Sequence, residues 1–144
     1  MHDIHTHIGQ FYQTKYDFHN IFMALKNNGI TETTFAYLTP LFTDSAPAIE
    51  FYNAMTQETK AALDFAKKID LKVNPLYWID PMVLFCGITL ESILNDLDYK
   101  GLVVHPFLND WNPSDEKRAN LLTQIFEFAE KKNLFFQVTD QKRI

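Results

Sequence analysis

Short apolar runs alternate with longer runs of helical period along the whole chain, and this alternation limits the fold more than any other feature. The first short run is Met1 to Ile8. Behind it, Phe18, Ile21, Phe22 and Leu25 share one helical face, in a segment that Asp17 can cap and Asn28-Gly29 can end. Thr33 to Leu38 is β-branched and aromatic and gives way to Pro40, which predicts a second strand. A helix from about Ala48 to Lys68 follows, with Tyr52, Met55, Thr59, Ala62, Leu63, Ala66 and Ile69 as its buried stripe. Leu71 to Trp78 reads as the third strand, although Pro75 removes a ladder donor. Thr89 can cap a short helix over Leu90 to Leu97, and Leu102-Val103-Val104 begins a fourth strand between Gly101 and Pro106. The last helix is expected to start with Asn112 as cap and Pro113 in its first position, with Asp115 at its positive end. Leu134 to Val138 closes the series as a fifth strand. Strands interleaved with helices in this way predict an α/β fold, right-handed crossovers and a parallel sheet whose strand order follows the chain.

A length of 144 residues suits one domain, over 1–144, large enough for a real core. The charge balance is 13 Lys+Arg against 18 Asp+Glu, a net −5. That acidic, unclustered balance argues against nucleic acid as a partner, because a phosphate-tracking surface needs basic stripes. No stretch approaches the roughly 20 apolar residues of a membrane helix, so no membrane partner is expected. The N-terminus shows no charged segment leading into an apolar one, and a lone Cys86 can make no internal disulfide. A reducing, cytoplasmic setting is the expectation. Cys86 has no basic neighbour in sequence, which predicts a buried thiol rather than a nucleophile. No glycine-rich phosphate loop is present, which argues against nucleotide binding.

The informative local motif is Asp3-Ile4-His5-Thr6-His7 at the end of the first strand. Alternate residues of a strand project from one face, so Asp3, His5 and His7 should point together. Two imidazoles so placed can converge on a divalent metal, and Asp3 can orient one of them through a hydrogen bond. The same spacing also fits a polar strand end with solvated histidines. His105 follows Val103 by two, so both should face the same side. His105 then serves as a substrate contact, a third ligand or an acid–base group, or else packs beside Pro106 and bonds a loop carbonyl. Asp80 and Asp110 follow the third and fourth strands, where parallel α/β folds place their sites, although loop aspartates more often form turns. Trp78 and Trp111 read as pocket lining or core, and His2 and His19 as exposed.

MHDIHTHIG resembles the opening of the amidohydrolase superfamily, whose first barrel strand ends in a His-x-His metal motif. Val73-Asn74-Pro75-Leu76-Tyr77-Trp78-Ile79-Asp80-Pro81 is similar to the third-strand region of amidohydrolase-related proteins. Gly101 to Phe107, with Asn112-Pro113-Ser114-Asp115 behind it, is similar to their fourth strand and loop, and Leu134 to Val138 to their fifth. The resemblance implies a parallel (βα)4β half of a TIM-like barrel, since complete barrels run to about 250 residues. It implies a metal-dependent hydrolase acting on a small-molecule substrate, with zinc as the ion and His5 and His7 as its ligands; Asp3 would then orient one of them, and the catalytic role would fall to His105 or Asp110. It equally admits non-oxidative decarboxylation.

The departures from the family pattern are as informative. Val103 stands where many relatives carry a bridging lysine, Thr139 stands where the fifth-strand histidine is expected, and the eighth-strand aspartate has no counterpart. A non-catalytic half-barrel, truncated or serving as a structural or binding module, is therefore the competing expectation. An open half-barrel also leaves edge strands unpaired, which predicts a homo-oligomer.

Overall fold

The computed structural model describes residues 2–11, 13–106 and 108–138, with the side chains of residues 2–4 and 11 outside that description. Along the chain come β1 (His2–Phe11), β2 (Thr14–Tyr16), α1 (Phe18–Asn27), β3 (Glu32–Tyr37), α2 (Ser45–Lys68), β4 (Lys72–Trp78), α3 (Pro81–Phe85), α4 (Leu90–Asp96), β5 (Gly101–Val104), α5 (Glu116–Lys131) and β6 (Phe135–Val138). These strands form one open sheet in the order β2-β1-β3-β4-β5-β6. From β1 to β6, leaving β2 aside, each neighbouring pair is parallel and the order follows the chain. The exception to an all-parallel sheet is β2, which folds back antiparallel on the end of β1 from Gly9↔Tyr16 to Phe11↔Thr14. Gly9 permits this: its φ is +104°, and a Cβ there would stand 2.8 Å from the Tyr37 ring. The result is an α/β protein with a six-stranded, mostly parallel sheet that does not close into a barrel.

Local chemistry explains where the elements begin. Asp17 caps α1 by accepting the His19 N–H, and Gly29 leaves the helix at φ +80°, as the sequence predicts. α2 starts at Ser45, ahead of the expected Ala48, because Pro47 sits in its first turn, where no backbone N–H is needed. The predicted start of the last helix at Asn112–Pro113 shifts to Asp115, whose carboxylate accepts the N–H groups of Lys117 and Arg118. Asn112 instead accepts the Ser114 N–H in the preceding turn. α3 is too short to show a helical period, and its signal is the cap-and-proline pair Asp80-Pro81. Cys86 lies exposed at the end of α3, which corrects the buried thiol expected from its neighbours.

The helices pack on one face of the sheet. Ile8, Phe35, Tyr77, Ile79, Leu102 and Val104 point to that side and are buried with Phe22, Tyr52, Met55, Ile93 and Ile125. On the opposite face Ala36, Leu38, Leu76, Trp78 and Val103 form a smaller apolar row joined by Leu108. Gly101 keeps the sheet tight in this row, because a Cβ there would strike the Phe135 backbone. Among the described residues, no helix is long and apolar enough to cross a membrane.

Candidate metal and substrate site

His5 and His7 project from β1 onto this helix-free inner face. Their Nε2 atoms stand 2.9 Å apart and their rings meet edge to face, with centroids 4.3 Å apart. Two neutral imidazoles at that distance share one proton, one Nε2–H donating to the other Nε2 lone pair. Burial pushes the His7 ring down to about 4, helped by the nearby His5 and His105, while the Ala36 backbone works in the opposite sense. His7 is therefore neutral near pH 7, the state a metal ligand requires. Its buried Nδ1 faces the Ala36 backbone without a hydrogen bond of normal geometry.

The strand does not keep a strict alternation up to this pair. Asp3 pairs with Thr33 and Thr6 with Phe35, so two residues of β1, Ile4 and His5, oppose the single Thr34. Such a bulge interrupts the strict alternation of the strand. The Asp3 side chain, like Thr139, lies outside the described residues.

His105 is almost fully buried at the end of β5. Its ring lies parallel to that of Trp78, 5.5 Å away, and Trp78 in turn stands 5.7 Å from His7. His105 Nδ1 accepts the Leu108 N–H at 3.0 Å. The neutral ring then carries its proton on Nε2, as a hydrogen-bond donor. Ligating imidazoles usually donate from the nitrogen that does not bind the metal, so this pairing disfavours His105 as a third ligand.

The two aspartates go elsewhere. Asp80 caps α3 through Met82, and its second oxygen is buried without a partner among the described residues. Burial pushes its carboxyl up to about 6, against the opposing pull of the Met82 N–H and Arg118. It borders a cavity of about 10 Å³ among Tyr52, Met55, Tyr77 and Val83, on the helix side. Asp110 is exposed at φ 52°, a left-handed turn position that suits aspartate. Trp111 is buried in the helix-side core, and His19 is exposed as expected.

A cavity of about 510 Å³ opens beside His5, lined by Thr34, Asn74, Leu76, Lys100, Phe135 and Gln137. It lies toward the N-terminal ends of the strands, whereas Trp78 and His105 lie toward the C-terminal ends. Among the described residues no group of three or more His, Cys, Asp or Glu could hold a metal ion. As a fit for zinc, His5 and His7 supply two ligands. Two nitrogens on a tetrahedral zinc at about 2.0–2.1 Å stand roughly 3.3 Å apart, so the pair needs to open by about 0.4 Å.

Asn109 escaped the sequence reading altogether. It is buried, and its Oδ1 accepts the Trp78 indole N–H at 2.6 Å. No spacing rule links residues 78 and 109. The available signal was Asn109 within the loop after a strand, where parallel sheets collect functional side chains. Comparison of the chain with protein-family models, with curated proteins and with solved structures returns no match.

Proposed function

We propose that this chain is a metal-binding α/β protein of the amidohydrolase type, with His5 and His7 as ligands and a small-molecule substrate approaching the inner face. The observation that carries the reading is the 2.9 Å convergence of the two Nε2 atoms, one of them on a ring held neutral by burial. The sequential parallel strand order, with helices on one side, supports a half-barrel of the (β/α)8 kind. Bound divalent metal, zinc in this reading, supplies an acidified water and a Lewis acid for hydrolysis. The chain's own groups do the rest. Trp78 walls the site, and His105 stacks on that wall with its Nδ1 held by the Leu108 N–H.

A second reading is favoured by the ligand count: two imidazoles fall short of the three protein ligands of catalytic zinc sites. In that reading the chain binds metal weakly and turns nothing over, as a binding or structural module. Loading purified protein with zinc or manganese and assaying esters, lactones, amides and aromatic carboxylates separates the two. Hydrolytic turnover lost in both His5→Ala and His7→Ala supports the hydrolase. Metal uptake with no turnover supports the module, and no metal uptake removes both.

A further inference from the structure

We infer that Asn109 is a positioning residue that sets the plane of Trp78, and through it the arrangement of His7 and His105. Its side-chain amide has only one consistent orientation. The indole N–H can only donate, so the atom 2.6 Å from it is the acceptor Oδ1. The Nδ2 group then donates to the Thr39 carbonyl at 3.3 Å and the Pro40 carbonyl at 3.2 Å. One buried amide thus ties the segments that follow β3 and β5 to the end of β4. The single Thr39 hydroxyl proton lies between the Tyr37 carbonyl at 3.3 Å and the Trp78 carbonyl at 3.4 Å.

Trp78 is the hinge of the arrangement because it touches both histidines. His105 stacks within 2° of the indole plane, and the His7 ring rests against it at 57°. Stacking alone leaves an indole free to slide or flip, whereas the short bond to Asn109 removes that freedom. The same loop carries the second restraint: its Leu108 N–H bonds His105 Nδ1 and its Asn109 N–H the His105 carbonyl, and because the Asn109 amide anchors this loop to Thr39 and Pro40, losing the amide frees the turn that selects the tautomer. Asn109 touches neither histidine side chain in this scheme. It acts on them through the indole and through the turn.

The test uses Asn109→Ala, Trp78→Phe and the double variant in the full chain. Zinc affinity is measured by chelator competition, and the His105 tautomer by ring 15N shifts. The zinc arm rests on the metal reading above, and the tautomer arm does not. Groups that orient metal-binding histidines are typically worth 10–100-fold in affinity, so each single variant should bind zinc about tenfold more weakly. The double variant should lose no more than the weaker-binding single variant, because both break one bond. In metal-free Asn109→Ala, His105 should change from one tautomer to a mixture. Wild-type protein that takes up no zinc defeats the metal reading alone, and the tautomer shift then decides for or against the positioning role. Folded variants that keep wild-type zinc affinity and a single His105 tautomer overturn it, as do losses that multiply in the double variant. Should Asn109→Ala fail to fold, Trp78→Phe alone must still show the zinc loss, and wild-type affinity there overturns the inference.

Discussion

The two ends of the inner face are built on opposite principles. Toward the C-terminal ends of the strands, Trp78, His105 and Asn109 are nearly fully buried; Trp78 bonds the Asn109 side chain, and His105 and Asn109 reach backbone groups of the loops after β5 and β3. Toward the N-terminal ends, Thr34, Asn74 and Gln137 are half-buried around open space, Phe135 is 56% exposed, and Lys100 turns to Asp98. Low dielectric strengthens satisfied polar contacts and penalises broken ones, so the first end holds its groups in fixed geometry. The second end leaves its side chains partly exposed around room for a ligand. His5 and His7 lie at the boundary between them, one lining the cavity and the other leaning on Trp78.

The contrast breaks most visibly if Trp78 is removed. Trp78→Ala should destabilise the chain by about 3–5 kcal/mol in urea unfolding, the usual range for a buried tryptophan. Asn74→Ala, at the open end, loses one bond to Glu32 and should cost no more than about 1 kcal/mol. Equal losses would erase the distinction.

The pH dependence of stability sharpens it, since two groups act with opposite signs. His7 drops from 6.5 to about 4 on folding, so the unfolded chain binds more protons in that window. Its contribution therefore falls as pH drops from about 6.5 to 4, and His7→Gln should flatten that decline. Asp80 rises from 3.8 to about 6, so its contribution is full at low pH and is lost as pH rises through that range. Asp80→Asn keeps a capping oxygen and should gain stability relative to wild type at pH 7.5 compared with pH 3.5. Unfolding midpoints of the two variants across pH 3–8 report both signs. Phe135→Ser gives the smallest effect, within about 0.5 kcal/mol, because most of the ring is already in solvent.

Much of this was legible in sequence. The Asp17 cap, the Gly29 stop and the β-branched runs placed the elements, and their alternation placed the strands in chain order. His5 and His7 share a face because they sit two apart on a strand, and His105 follows Val103 inward by the same rule. The β1 bulge was not legible, because Asp3 to His7 alternates perfectly on paper and the extra residue appears only in the pairing with β3. β2 was missed because three residues carry no period, and its cause is the left-handed Gly9. The last helix started late because Asn112 and Asp115 are both competent caps, and only the backbone decides which one is used. Asn109 was hidden for a deeper reason: its partners lie at positions 39, 40 and 78, and no local pattern records a contact over such separations.

The metal site itself is tested most directly by titrating zinc into the purified chain at pH 7 with calorimetric detection. The convergent imidazole pair, with His7 held neutral by burial, predicts one ion per chain in the wild type and loss of that binding in His5→Ala and in His7→Ala, with both variants still folded. Zinc uptake that survives both substitutions, or a wild-type protein that takes up none, contradicts it.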